Sequence, residues 1–221
     1  MSCDKMLWVN EIFTSIDGEG VRAGELATFV RLAGCNMRCS YCDTDYALSI
    51  HDGKPMSIED IKNVCLEAGV HNVTLTGGEP LMQPAAVVLV AALSEAGFQV
   101  NIETNGSIDL GHLMQVLLFT DGFVTMDIKC PSSGMADRNL YDNLYLLRDC
   151  DVVKFVVGSK EDLDFMMQHA DKFRCKWYIS PVFGKIEPVD IVNYMLEHKL
   201  ENARVQLQLH KIIWDPAERG V

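Results

Sequence analysis

The sequence has no long apolar run. Its longest such stretch, residues 85–93, is held between Pro84 and Ser94-Glu95, too short to cross a bilayer and consistent with a buried helix. Basic residues are scarce as well. Lysine and arginine total 19 against 31 aspartates and glutamates, a net charge of −12. That balance argues against wrapping nucleic acid or docking on anionic lipid, while leaving room for a local basic pocket for a small anion. The first ten residues lack the basic flank and apolar core of a secretory signal, so a cytoplasmic location is expected. No low-complexity linker, long charge run or repeat of fixed period interrupts the chain, and one domain over 1–221 is expected. There is also no second Cys-x2-Cys and no His-x3–5-His pair, which removes the usual two-pair spacing of a structural zinc site.

What is present reads as an α/β protein. Hydrophobic residues make up 48% of the chain, enough to bury a core. Short β-branched runs predict strands at 27–32, 72–76, 99–103, 122–127, 152–157, 176–179 and 204–209. Helical stretches fall between them. Ser57 caps a helix reaching residue 68 and stopped by Gly69; others run over 84–96, 112–118 and 189–198, with one starting at Ser159. Such alternation implies a mainly parallel sheet with right-handed crossovers. About six parallel strands fall short of the eight in a full barrel. The expected architecture is therefore an open, partial β/α barrel with its site at the carboxyl ends of the strands.

Eight cysteines lie at 3, 35, 39, 42, 65, 130, 150 and 175. In a reducing compartment clustered thiols suggest metal rather than disulfides. Cys65, Cys150 and Cys175 read as small buried hydrophobes. Cys35-x3-Cys39-x2-Cys42 instead follows the strand 27–32 directly, in a loop opened by Gly34. Four cysteines would saturate a 4Fe-4S cluster for plain electron transfer, whereas three leave one iron open for substrate or cofactor chemistry. A zinc site borrowing a fourth ligand from elsewhere is the alternative.

Cys35-x3-Cys39-x2-Cys42 with its interposed Tyr41 resembles the cluster motif of the radical S-adenosylmethionine enzymes. Thr76-Gly77-Gly78-Glu79-Pro80, directly after the strand 72–76, resembles that superfamily's GGE motif. Two glycines let backbone carbonyls approach a ligand closely, and Glu79 adds an acceptor for an ammonium group. On its own this pentapeptide would be an ordinary strand-to-helix turn. Further segments are similar to the 7-carboxy-7-deazaguanine synthases. They are Glu11-Ile12-Phe13-Thr14-Ser15-Ile16-Asp17-Gly18-Glu19-Gly20, Phe29-Val30-Arg31-Leu32-Ala33-Gly34-Cys35, Cys42-Asp43-Thr44, and the ending Gln208-Leu209-His210-Lys211 with Trp214 and Arg219-Gly220-Val221. Asp17 stands where that family commonly has glutamine, replacing an amide by a charged acceptor. The stretch 127–132 departs from the family's Ser-Pro-Lys form, with Lys129 aligned.

The resemblance implies conversion of 6-carboxy-5,6,7,8-tetrahydropterin to 7-carboxy-7-deazaguanine with loss of ammonia, on the route to deazapurines such as queuosine. It implies that Cys35, Cys39 and Cys42 hold a 4Fe-4S cluster whose open iron binds S-adenosylmethionine. Tyr41, Cys42, Asp43, Gly78, Asp127, Ile128, Lys129, Ser180, Pro181, Val182 and Phe183 would contact that cofactor. Thr44 would ligate Mg2+ through its hydroxyl. The pterin would meet Ile16, Asp17, Gly18, Arg31, Thr76, Gln208, His210 and Val221, with Arg31 as a fork for its carboxylate. Glu103 and His210 are the candidates for catalytic groups. A flavodoxin or ferredoxin as electron donor and a homodimer are implied too. Another radical S-adenosylmethionine reaction, such as activation of a glycyl-radical enzyme, and a non-catalytic iron–sulfur or zinc protein are the competing readings.

Overall fold

In the computed structural model, which describes residues 6–170 and 172–221, the β-branched runs become one sheet. Its strands are β1 (Met6–Ile16), β2 (Leu26–Leu32), β3 (Lys54–Ser57), β4 (Asn72–Gly77), β5 (Gln99–Thr104), β6 (Phe123–Lys129), β7 (Val152–Val157), β8 (Lys176–Pro181) and β9 (Ala203–Val205). The helices are α1 (Ile58–Ala68), α2 (Ala85–Glu95), α3 (Gly111–Leu117), α4 (Lys160–Met167), α5 (Pro188–His198) and α6 (His210–Ile213). Among the described residues the strand order is β3-β1-β2-β4-β5-β6-β7-β8-β9. From β2 to β9 every neighbouring pair is parallel, while β1 runs antiparallel to both β2 and β3. The expected open β/α barrel therefore carries an additional antiparallel edge. β1 escapes sequence reading because polar residues such as Glu11 and Thr14 interrupt its apolar pattern, and β3 because it is held by pairing with β1 rather than by its composition. The last strand ends at Val205, short of the expected 209, and residues 206–209 turn back across the barrel mouth.

Period-two alternation sorts the two faces of the sheet. Val73 and Leu75, Val100 and Ile102, Val124, Met126 and Ile128, and Val153 and Phe155 point outward into the apolar core beneath the helices. Ile61 and Cys65 of α1, Leu89 and Leu93 of α2, Leu113 and Leu117 of α3, and Leu163 and Met166 of α4 meet them there. The intervening residues face the barrel interior: Thr74 and Thr76, Asn101 and Glu103, Thr125 and Asp127, and Lys154. The interior is thus polar while the outer layer is dry. Ser57 caps α1 by accepting from the Asp60 backbone N–H at 3.0 Å, and Gly69 ends it in the left-handed conformation (φ 68°).

Cys65 and Cys175 are buried, as expected of small hydrophobes. Cys150 is not; it sits exposed in the turn leading into β7. Cys130 is fully buried, and Cys3 lies outside the described residues. Among the described residues no helix is long and apolar enough to cross a membrane.

Candidate active site

A cavity of about 250 Å³ opens at the carboxyl ends of the parallel strands. One wall is the loop after β2, where Cys35, Cys39 and Cys42 all line the cavity as free thiols. Cys35 Sγ accepts from the Met37 backbone N–H at 3.4 Å and from Asn105 Nδ2 at 3.8 Å. Burial pushes the Cys35 and Cys39 thiols above their ordinary value, so a bound cation is what would hold them as thiolates. Gly78 lies against this loop. A side chain there would collide with the Gly34 carbonyl oxygen and come within 2.7 Å of Cys35 Cβ. Three free thiols, N–H donors aimed at sulfur and bare backbone beside them fit an iron–sulfur cluster with one open corner. The zinc alternative needs a fourth protein ligand beside the three thiols.

Glu79 corrects the sequence reading. It is wholly buried and turned away from the cavity, accepting from Leu81 N at 3.0 Å, Asn105 N at 2.7 Å and Thr104 Oγ1 at 2.9 Å. Its carboxylate pins the end of β5 to the turn after β4 and offers nothing to an ammonium group of a ligand. Burial raises it to about 7 against the pull of those donors.

Beside the thiols, Lys129 Nζ meets Asp127 Oδ2 at 2.6 Å, and Lys154 Nζ meets Asp127 Oδ1 at 3.3 Å. Burial alone would raise the Asp127 carboxyl, but the two ammonium groups hold it below its ordinary value. Tyr41 lines the cavity and reaches across to β7, donating its hydroxyl to the Val156 carbonyl at 3.3 Å.

The opposite wall is built for a polar, flat ligand. Phe13 and Phe29 stack at 4.9 Å between ring centroids. Arg31 donates through Nε to Glu11 Oε1 at 2.7 Å, and Tyr46 donates to the same oxygen at 3.0 Å. Among the described residues the terminal guanidinium nitrogens of Arg31 make no hydrogen bond, and Arg31 lines the cavity. Thr76 Oγ1 donates to Glu103 Oε2 at 2.9 Å, fixing that carboxylate at the end of β5. Residues 206–210 close over the loop between β1 and β2. Leu209 N donates to Gly18 O at 3.1 Å, and Gln206 exchanges two hydrogen bonds with the Gly20 backbone at 2.7 and 2.9 Å. The His210 ring packs on Gly18, where no side chain could fit. Burial holds His210 below its ordinary value although Glu19 and Asp43 pull it upward. Beyond it the chain end returns to the cavity, with the Arg219 guanidinium 3.5 Å above the centre of the Tyr46 ring.

The Radical SAM superfamily profile matches residues 30–135. The chain is 44% identical over 220 residues to the 7-carboxy-7-deazaguanine synthase of Clostridium acetobutylicum, covering 96% of this chain and 98% of that one. It is 38% identical to the 7-carboxy-7-deazaguanine synthase of Chlorobaculum tepidum across the full length of both. The chain belongs to the 7-carboxy-7-deazaguanine synthase family. It is accordingly a radical S-adenosylmethionine enzyme, a family whose cofactors are a 4Fe-4S cluster and S-adenosylmethionine. The fold agrees: QueE from Escherichia coli superposes with a TM-score of 0.71 at 23% identity, over 92% of this chain and 94% of that one.

Most residues that the resemblance to the 7-carboxy-7-deazaguanine synthases pointed to meet in this one cavity. Ile16, Gly18, Arg31, Thr76, Glu103, Gln208, His210 and Val221 line it together with Tyr41, Asp43, Thr44, Gly78, Asp127, Lys129, Val182 and Phe183. The Asp43 carboxylate is taken by Lys211 at 2.7 Å, whereas the Thr44 hydroxyl has only Cys42 Sγ, at 3.7 Å, as a polar neighbour among the described residues. Four expected residues do not line the cavity. Asp17 is paired beneath it with Arg22, Ile128 falls on the core side of the β6 alternation, and Ser180 and Pro181 are buried inside the end of β8. Conversely Glu19, Lys154, Phe13 and Tyr46 line the cavity without having been singled out, and Glu11 stands behind Arg31 and Tyr46. Lys154 had a signal, since it is the one charge in an otherwise apolar strand.

Proposed function

We propose that the chain converts 6-carboxy-5,6,7,8-tetrahydropterin to 7-carboxy-7-deazaguanine and ammonia, with Mg2+ as an additional cofactor. The observation that carries this reading is one cavity with three free thiols and the bare Gly78 backbone at one end and Arg31, Thr76 and Glu103 at the other. When bound, the cluster and S-adenosylmethionine supply the one-electron chemistry that removes a hydrogen atom from the pterin and returns it. The protein binds, orients and excludes water. Arg31, tethered at Nε by Glu11, presents its terminal nitrogens to the substrate carboxylate. Glu103, steadied by Thr76, accepts an N–H of the ring, and His210, kept neutral by burial, can exchange a proton with it. Phe13 and Phe29 form an apolar face that keeps solvent from the ring.

Thr44 would supply one oxygen to Mg2+; magnesium keeps most of its waters, which suits a site with so few protein ligands. Bound there, the ion would supply Lewis-acid stabilisation of charge on the substrate. A one-electron carrier such as flavodoxin or ferredoxin would reduce the cluster, and the enzyme would work as a cytoplasmic homodimer. Anaerobic incubation of the reconstituted protein with carboxytetrahydropterin, reductant, Mg2+ and S-adenosylmethionine tests the reading. Formation of the carboxydeazaguanine is the expected result; its absence with an intact cluster overturns the assignment.

A further inference from the structure

Lys154 projects from β7 into the cavity, and its side chain is only 10% exposed. Its ammonium stands 3.3 Å from Glu19 Oε2 and 3.3 Å from Asp127 Oδ1. The two carboxylates come from different parts of the barrel, Glu19 from the loop between β1 and β2 and Asp127 from β6. Asp127 has a second cation, Lys129, at 2.6 Å. Glu19 has only Gln208 Nε2, also at 3.3 Å and on the same oxygen. Its other oxygen, Oε1, is buried and has no partner among the described residues, although Glu19 lines the cavity.

A buried carboxylate oxygen without a donor is costly, and is tolerated where a ligand brings the donor. The reduced pterin carries ring N–H groups and an exocyclic amino group, which are donors of that kind. Lys154 cannot be the group that moves a proton. Burial alone would lower it, but Asp127 and Glu19 hold the ammonium charged well above its ordinary value. It acts as a fixed charge.

We propose that Lys154 is a positioning residue for the substrate: it locks Glu19 so that Oε1 accepts an N–H of the bound pterin, selecting ligands that present a donor edge. This rests on the reaction proposed above. The bidentate hold of Lys154 on Glu19 and Asp127 also ties the substrate end of the cavity to the thiol end, so the ring is oriented relative to the reacting cofactor rather than merely retained.

The test uses the full chain with its cluster reconstituted, and measures pterin affinity, KM and kcat for wild type, Lys154→Met, Lys154→Arg, Glu19→Gln and the Lys154→Met/Glu19→Gln double variant. Lys154→Met is expected to raise the pterin KM and Kd roughly tenfold or more, with a smaller change in kcat and in the KM for S-adenosylmethionine. Lys154→Arg recovers most of the loss. The double variant is no worse than Glu19→Gln alone, because the lysine works through that carboxylate. Additive losses, or a KM for S-adenosylmethionine that rises as much as that for the pterin, overturn the inference. If Lys154→Met does not fold, Glu19→Gln decides, since an unchanged pterin Kd in that variant removes the contact. A wild-type enzyme that does not turn over the pterin removes the proposed reaction and this inference together, whereas normal turnover with an unaltered Lys154→Met removes only the inference.

Discussion

Asp17 Oδ2 accepts from Arg22 Nε at 2.9 Å in an ion pair almost wholly removed from water. The rest of the pair is also satisfied. Thr74 Oγ1 donates to Asp17 Oδ1 at 2.8 Å, and the guanidinium donates to Gln99 O, Val73 O and Thr74 Oγ1 while lying 5.3 Å from the centre of the Phe123 ring. The loop between β1 and β2 thereby plugs the barrel under the cavity, and Arg22 supplies the counter-charge that a buried acid at position 17 requires. Burial raises Asp17 to about 6, Arg22 opposing, so the pair is ionic at neutral pH. Breaking a buried pair leaves the partner charge uncompensated, and Asp17→Asn should lower stability by about 3–5 kcal/mol in urea unfolding. A direct substrate contact predicts the opposite pattern, near-native stability with a raised pterin KM.

Gly78→Ala tests the close approach of backbone to the cluster loop. The added methyl meets a carbonyl oxygen and Cys35 Cβ, neither of which is the free end of a flexible side chain. The loop must shift, and a site that needs placement within a fraction of an ångström loses cluster or cofactor. Iron and sulfide per chain should fall, or S-adenosylmethionine should bind at least about tenfold more weakly at full cluster content. Wild-type values for both would show that this contact is incidental.

The outer half of the fold was legible because one physical pattern wrote it. β-branched runs at β4, β5, β6 and β7 and capped helices such as α1 gave both the element type and its order. The inner half was legible only through motifs. Asn101, Thr125 and Lys154 each sit in a strand whose neighbours are apolar, and nothing local says that the barrel interior will be wet enough to receive them. Ile128 shows the converse. A matched motif places a residue along the chain, whereas the alternation of the strand decides which face it serves, and Ile128 serves the core. Glu79 was misread for a related reason, since a glutamate beside two glycines suggests a ligand until its three donors are seen to be its own chain.

Glu79 should also leave a mark on stability. Its carboxyl is raised from an ordinary value of 4.5 to about 7 by burial. A raised carboxyl contributes its stability fully below the unfolded value and loses it as pH rises through the folded one. Wild type should therefore lose stability between about pH 5 and 7.5, by a few kcal/mol at most, relative to Glu79→Gln, which has nothing to titrate. Urea midpoints of both proteins at several pH values provide the check, read as the slope of their difference because the glutamine variant also loses an acceptor. Parallel profiles would rule out titration of Glu79 in this range.

Thr44→Ala probes the magnesium site without touching the thiols. The Thr44 hydroxyl has a single weak sulfur contact among the described residues, so its removal should cost little stability and leave the cluster in place. Turnover should drop, by roughly 10–100-fold for one lost ligand, and the Mg2+ concentration for half-maximal rate should rise. Wild-type turnover with wild-type Mg2+ dependence would assign the ion elsewhere.

Arg31 is the sharpest case for substrate recognition because its geometry separates anchoring from binding. Nε is spent on Glu11, Tyr46 braces the same carboxylate oxygen, and Phe13 and Tyr46 lie about the guanidinium with their ring centres 5.9 and 5.8 Å from its carbon. This leaves a planar pair of N–H donors facing the cavity, the geometry that a carboxylate takes up bidentately. A lysine in its place keeps the charge but loses the fork and the tether to Glu11, so Arg31→Lys should raise the pterin KM by roughly tenfold with kcat less affected. Glu11→Gln should have a smaller effect in the same direction, because it loosens the guanidinium without removing it. If the two variants reverse that order, with Glu11→Gln the more damaging, the guanidinium holds the wall of the cavity rather than the substrate.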